Sequence, residues 1–375
     1  MRFERLRSVL RVCVSLAFVA ALGGAAAAKS WCAQPLWVHE WGVHVFDGGG
    51  ALTPGASYLP SFFHAPGKTL AFTSRAPVKT LPPDSGDRDL PVMHFYSPRT
   101  DGTIPVGLEV GFTLGTASSW FPDVDLFDAL AHKQLAWNRL ELSRVPAFPA
   151  AMEIGAQPDE LAWIASARKL GALWVNSARE TERFVFYEAR TRETVPLELK
   201  RGATWAPGRR HYELHNRGAF AVHDVLVIVN EGATTYVFAA PQIPARTSAG
   251  FLVEDHAVTD VRAATFGALT TALLDPVTPE PPTDYRWDSA SCVMQRNPAT
   301  PFARADGHRL YRGEVVLILE VWGARFFETP GTSIVYREDT AYLDQVMPVA
   351  VYTDMYNFVV LQRAGLALWS GVTLP

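Results

Sequence analysis

The chain has 375 residues, of which 48% are hydrophobic and 19% charged, and its formal net charge is −4. This composition excludes an intrinsically disordered chain, which needs low hydrophobicity and high net charge. The acidic balance argues against a nucleic-acid-binding protein, which normally presents a basic surface. The length suits two ordinary domains or one large, elaborated domain.

The first 28 residues have the pattern of a secretory signal peptide. Four arginines come first, an apolar run over residues 12–22 follows, and small residues occupy 23–28. Because the apolar run is shorter than the ~20 residues that span a bilayer, we expect cleavage near Lys29 rather than a retained anchor. The mature chain would have 30 basic and 37 acidic residues, a net charge of −7. We therefore predict an exported protein, periplasmic or extracellular, with no transmembrane segment after cleavage.

Two of the three cysteines, Cys32 and Cys292, remain in the mature chain. In an oxidising compartment such a pair is predicted to form one disulfide. Chain entropy assigns so long a loop roughly 5 kcal/mol as an upper figure. The alternative is that Cys292 is a nucleophile served by His308, but the sequence around Cys292 shows no feature that would lower the pKa of its thiol.

Hydrophobic periodicity in the mature chain is mostly of period two, which is typical of half-buried strands. We predict a β-rich α+β fold with antiparallel, sandwich-like sheets and a few short helices. Helices are predicted at 125–133, 159–170 and 259–274, and 313–327 is either a buried strand with a turn or a buried helix. The predicted strands are 37–46, 90–96, 106–112, 182–189, 194–199, 211–215, 222–229, 234–238, 247–253, 332–337, 346–352 and 358–368.

Turn and proline patterns divide the mature chain into three predicted parts. An N-terminal β-rich domain covers 29–200, and a sandwich-like β-module covers 201–256, where Asn-Arg-Gly and Asn-Glu-Gly turns separate short strands. A C-terminal α+β part covers 257–375. It begins with a helix and a proline-rich connection over 275–299, because proline at that density suits neither a helix nor a central strand.

The tetrapeptide His39-Glu40-Trp41-Gly42 comes shortly after the signal peptide, and several short segments follow it in order. They are Pro91-Val92-Met93-His94-Phe95-Tyr96-Ser97, Trp120-Phe121-Pro122, Glu182-Arg183-Phe184-Val185-Phe186-Tyr187 and Trp322 with Phe326-Phe327-Glu328. In this order they resemble a group of uncharacterised exported bacterial proteins that open in the same way. Val43 departs from that group, in which a small polar residue is more usual. The group has no established activity, so the resemblance implies export and fold but no reaction.

His39, Glu40 and His44 lie within six residues, and His94 lies on another predicted strand. In a regular strand Glu40 and His44 share a face about 13 Å apart, while His39 points to the other face. A bulge at Gly42 and a neighbouring strand that carries His94 or His64 would bring ligands together. Imidazole and carboxylate groups suit zinc or another divalent metal. The candidate metal ligands are therefore His39, His44 and His94. The alternative is that these histidines are hydrogen bonded in a tryptophan-rich core.

Carboxylates form a second candidate group. Asp123, Asp125 and Asp128 make a D-x-D-x-x-D run that lacks the central glycine and terminal glutamate of a calcium loop. Capping of a helix N-terminus accounts for the run. A catalytic pair for glycoside cleavage, Glu40 with Asp123, is the functional alternative, in which case His39 joins them as a candidate catalytic residue.

Two further patterns have an ordinary structural interpretation. His211, Glu213 and His215 share one face of a predicted strand, which is most often the solvated face of a sheet. The eleven tryptophans are scattered along the chain. They could stack on sugar rings, but scattered placement favours a role in the core.

The leading hypothesis is an exported binding or envelope-associated protein of unknown ligand. The partner we expect is a polysaccharide or envelope component and not nucleic acid. The alternative is a hydrolase of an envelope or extracellular polymer, using a divalent metal or paired carboxylates near His39, Glu40, His44 and His94. A third hypothesis is a subunit of a larger exported assembly, because an open sheet presents edges.

Overall fold

The computed structural model describes residues 34–53, 62–66, 86–88, 91–98, 102–127, 131–148, 162–203, 208–281, 305–354 and 357–375. The predicted signal peptide, both mature cysteines and Asp128 lie outside these ranges. The signal peptide and the Cys32–Cys292 disulfide therefore remain predictions.

The described residues form mainly strands. In chain order the strands are β1 (Gln34–Phe46), β2 (Gly86–Arg88), β3 (Val92–Tyr96), β4 (Ile104–Gly111), β5 (Gly115–Phe121), β6 (Leu126–Phe127), β7 (Gln134–Ser143), β8 (Trp174–Asn176), β9 (Thr181–Glu182), β10 (Val185–Thr191), β11 (Leu197–Arg201), β12 (His211–Asn216), β13 (Val222–Glu231), β14 (Thr234–Ile243), β15 (Ser248–Leu252), β16 (Ala257–Val258), β17 (Ala305–Gly307), β18 (Gly331–Glu338), β19 (Val349–Thr353) and β20 (Asn357–Val372). The helices are α1 (Ala162–Ala167), α2 (Val261–Leu273), α3 (Arg312–Phe327) and α4 (Thr340–Val346), with a 3₁₀ turn at Val253–His256. The predicted β-rich α+β class is confirmed.

The strands form one large sheet and two smaller ones. The large sheet has the order β16-β14-β13-β18-β20-β1-β3-β10-β2, with β17 beside β20 and β5 beside β10. The smaller sheets are β11-β12-β15 and β19-β4-β7-β8-β9, the latter with β6 beside β7. The pairing of β1 with β20 is parallel, which departs from the predicted antiparallel arrangement. Strands from all three predicted parts of the chain are hydrogen bonded within the large sheet.

The large sheet is buried on both faces, and β1 shows why. Its odd-numbered residues Trp41, Val43 and Val45 pack into one core with apolar residues of α2 and α3. Its even-numbered residues Leu36 and Val38 face the six-stranded sheet, whereas Phe46 faces the three-stranded sheet. Burying each such large apolar side chain contributes about 1.5–3 kcal/mol. Because β1 is central, polar side chains in its middle must find partners inside the protein.

The structure corrects one predicted helix and decides one segment that the sequence left open. The helix predicted at 125–133 is wrong, because Leu126–Phe127 is strand β6 and pairs with β7. Asp125 caps no helix; its carboxylate accepts backbone N–H groups of Asn138 and Arg139 in β7. The segment 313–327, for which the sequence allowed either a strand or a helix, is the helix α3. Within the described ranges, no helix combines the length and apolar character that a membrane crossing needs.

Candidate functional site

The middle of β1 carries two buried polar networks, one on each face of the strand. His39 and Glu40 are 3% and 4% exposed. The predicted alternation is confirmed, because His39 lies on the face of Trp41, whereas Glu40 and His44 lie on the other face.

The first network is the His39 cluster, which consists of His39, His94, Glu314, Tyr96 and Tyr311. His39 Nδ1 lies 2.7 Å from Glu314 Oε2, and the Tyr311 backbone N–H donates to the same oxygen at 2.9 Å. Glu314 occupies the third position of α3, so its carboxylate also caps the helix. His94 Nδ1 is 3.6 Å from Glu314 Oε1, beyond hydrogen-bond distance.

The charges of the His39 cluster are shaped by complete burial. Burial alone would raise the pKa of Glu314, but the charge and hydrogen bond of His39 outweigh it and lower that pKa. Burial lowers the pKa of His94 to about 4, against the opposing charge of Glu314. Burial also raises the pKa of Tyr96, and Glu314 adds to that shift. His94 is therefore a neutral ring in the core near neutral pH.

The second network is the Arg363 network, which consists of Glu40, Tyr187, Arg363 and Asp344. The Arg363 guanidinium, fully buried, binds both oxygens of Glu40 through Nε and Nη2. Tyr187 donates its hydroxyl to Glu40 Oε1 at 2.8 Å, and Arg363 Nη1 donates to Asp344 at 2.9 Å. Burial opposes the charge of Arg363, but Glu40 more than compensates and raises the pKa of the guanidinium.

These networks bear on the predicted hydrolase centre. His39 and His94 meet around Glu314, but His44 lies on the opposite face of β1 and is 3.2 Å from Glu338. The three candidate metal ligands are therefore not brought together. Throughout the described part of the chain, no three His, Cys, Asp or Glu side chains are placed to hold one metal ion. Glu40 is bound on both oxygens by Arg363, an arrangement typical of a structural ion pair.

Asp123 has a different setting from Glu40. His64 Nδ1 is 4.0 Å from the Asp123 carboxylate, and His64 Nε2 is 2.9 Å from Glu180. Burial lowers the pKa of His64, but Glu180 and Asp123 outweigh it and the net shift is upward. The backbone N–H of Asp123 also donates to Glu180. The two imidazole nitrogens thus face different carboxylates, and no sequence pattern indicated Glu180 as a partner.

The remaining sequence candidates have structural roles. On β12, His211, Glu213 and His215 are half-exposed while Tyr212, Leu214 and Asn216 alternate with them and are buried, as predicted for a solvated face. Tryptophans 41, 120, 137, 163, 322 and 369 are buried. Within the described ranges these six therefore belong to the core and are not platforms for a ligand.

The structure contains a cleft that the sequence did not reveal. It has a cavity volume of about 80 Å³ and opens to solvent. Its lining includes the buried residues Phe46 and Tyr336 and the half-buried residues Phe220 and Tyr342. The rings of Phe220 and Tyr342 contact each other with centroids 5.6 Å apart. The other lining residues are Thr194, Pro196, Gly218, Ala219, Ala221, Val222, Glu338 and Asp339.

Two carboxylates make one end of the cleft acidic. Glu338 ends β18, and Asp339 caps α4 by accepting the Ala341 N–H at 2.8 Å. Glu338 lies 3.2 Å from His44, and Asp339 lies 3.0 Å from His223. The cleft lining therefore combines aromatic residues with two carboxylates, Glu338 and Asp339, which lie at the junction of β18 and α4.

A smaller recess, with a cavity volume of about 20 Å³, is lined by Glu40, Gly42, His44 and Gly365 together with neighbouring apolar residues. Its ionic group, Glu40, is already bound by Arg363 and Tyr187. The cleft is therefore the better candidate site. The one sequence signal for it was the acidic pair Glu338-Asp339 at the end of a predicted strand, which becomes meaningful only when the fold brings Phe46 and Phe220 alongside.

Comparison with known proteins adds no assignment. No protein-family model matches the chain, and no curated protein matches it. The resemblance to exported bacterial proteins that open with His-Glu-Trp-Gly stays a prediction from the sequence, and any functional inference rests on the cleft and the two buried networks.

Proposed function

We propose that the chain is an exported binding protein whose small-molecule ligand occupies the cleft. The observation that carries the proposal is the cleft itself, which combines aromatic rings with a few polar groups placed at one end. Ligand sites in proteins are typically concave, mostly apolar and oriented by a small number of polar groups. The signal-peptide pattern over residues 1–28 supports export.

The buried networks favour this proposal over a hydrolase centred on His39 and Glu40. Both side chains are almost fully buried, and each is engaged by a partner that the core holds in place. A catalytic acid or base must reach a substrate at hydrogen-bond distance. A role in stability accounts for His39 and Glu40 without such access.

Filling the cleft tests the proposal. Ala219 is exposed and lines the cleft, so Ala219→Trp places an indole there without removing a core contact. We expect a small-molecule library screened by thermal shift to yield ligands that stabilise the wild-type protein. A ligand at a hundred times its Kd stabilises by about 2.7 kcal/mol, which raises the melting temperature by several degrees.

The matched control is Ala263→Trp, because Ala263 is exposed on α2 and does not line the cleft. The ligands should stabilise this control like the wild type and should have no effect on Ala219→Trp. Equal stabilisation of Ala219→Trp, or a library without a ligand, would count against the cleft as the site.

A further inference from the structure

The lining of the cleft is selective in its chemistry. Four aromatic residues line it, of which Phe220 and Tyr342 are half-buried and Phe46 and Tyr336 are buried beneath its surface. Aromatic faces carry negative electrostatic potential, and a cation within about 6 Å of a ring centroid is attracted to them. Tyr342 donates its hydroxyl to the buried carboxylate of Glu193, which fixes the ring and makes its face more electron-rich.

The charged groups of the lining have a single sign. Glu338 and Asp339 supply two carboxylates, and among the described residues no Lys or Arg lines the cleft. Two arginines are adjacent in sequence to lining residues. Arg337 binds Asp224 Oδ2 at 2.7 Å, and Arg217 lies 3.9 Å from Glu198. His44 lies beside Glu338, and His223 lies beside Asp339.

Resting on the proposed function, we propose that the cleft binds an alkylammonium group, the charged end of a small organic cation. Aromatic cages with carboxylates recognise quaternary ammonium ions because the methyl groups contact the rings while the charge favours the ring faces and the carboxylates. An anionic ligand would meet Glu338 and Asp339, and a neutral ligand would make no use of them. The acidic balance of the chain also raises the local concentration of cations.

The test compares two ligands of one shape. Choline carries a trimethylammonium group, and 3,3-dimethylbutan-1-ol is its neutral carbon isostere. Calorimetric titration of the mature protein near neutral pH should show choline binding at least about tenfold more tightly than the isostere, as a desolvated cation–π contact implies. Equal binding of the two compounds, or no binding of choline, overturns the proposal.

Three variants locate the effect. Ala219→Trp should abolish choline binding, and Phe220→Ala should weaken it about fivefold or more, because one aromatic face is lost. Asp339→Asn keeps the oxygen that accepts the capping hydrogen bond of α4. It should weaken the binding of choline and leave the binding of the isostere unchanged. Glu320→Gln, at an exposed position of α3, is the control and should change neither. The assignment would be contradicted if Glu320→Gln lost the preference for choline over the isostere, or if Asp339→Asn kept that preference in full.

The same chemistry occurs in free solutes and in phospholipid headgroups. Cosedimentation with phosphatidylcholine vesicles, competed by choline, distinguishes them: competed sedimentation identifies a headgroup, and choline binding without sedimentation identifies a free solute. If choline fails while library ligands still stabilise the wild type and not Ala219→Trp, the ligand class is wrong and the proposed function stands. If those ligands also fail, the proposed function falls with it.

Discussion

Replacing Arg363 by methionine is expected to lower the free energy of unfolding by about 3–5 kcal/mol, the usual cost of leaving one member of a buried ion pair alone. The guanidinium is completely buried, and its loss would leave the Glu40 carboxyl group in the core with the Tyr187 hydroxyl as its remaining hydrogen-bond partner. Chemical denaturation of the wild type and the variant measures the difference.

The double variant Glu40→Met with Arg363→Met is the control for this prediction. It removes both charges and keeps most of the side-chain volume, so it should be more stable than Arg363→Met alone. Asp344 and the Met347 carbonyl also lose a donor, so we expect partial recovery. A loss below about 1 kcal/mol for Arg363→Met would show that the Arg363 network is not structural.

The second large effect is sensitivity to mild acid. Burial lowers the pKa of His94 to about 4 in the folded protein, whereas an unfolded histidine has a pKa of about 6.5. Between these values the unfolded state binds a proton that the folded state does not. The free energy of unfolding is therefore unaffected by His94 above about pH 6.5. It falls by about 3 kcal/mol as the pH is lowered towards 4, because protonation of His94 then favours the unfolded state.

Other groups act in the same direction. Burial, assisted by Arg337 and Arg309, lowers the pKa of His308 to about 4, and the lowered pKa of Glu314 extends the loss to more acidic solution. Denaturation profiles between pH 4 and 7 measure the slope. In His94→Phe, which keeps a ring beside Trp41, the slope should be smaller. An unchanged slope would show that His94 is not the group responsible.

Local periodicity predicted which face each polar residue of β1 occupies. The alternation of β1 depends only on neighbouring residues, so the separation of His39 from Glu40 and His44 followed from the sequence. Their partners did not, because Glu314 and Arg363 are 275 and 323 residues away along the chain. Only the parallel pairing of β1 with β20 sets Glu40 beside Arg363, in direct register.

One wrong prediction and one open alternative have local physical causes. The aspartate at 125 has the sequence properties of a helix cap, but its carboxylate binds the backbone of β7, and the strand β6 forms instead. For the segment at 313–327 a buried strand and a buried helix have the same apolar composition. The helix forms with Glu314 capping its first turn through the Tyr311 N–H.

The cleft could not be predicted because its aromatic rings come from distant positions. Phe46 ends β1, Phe220 precedes β13, and Tyr342 lies in α4. No local spacing links them, and none is a tryptophan, the residue type that the sequence singled out for ligand stacking. The fold itself creates the site.

The proposed ligand site is the cleft and not the surroundings of His39 and Glu40, and the position of a bound cation tests this directly. Arsenocholine replaces the nitrogen of choline with arsenic, and arsenic scatters X-rays anomalously, so a crystal structure with this compound locates the cation directly. We predict one anomalous peak in the cleft, beside Phe220, Tyr342 and Asp339. A peak in the recess beside Glu40 and His44, with the cleft empty, would contradict the assignment of the cleft as the ligand site.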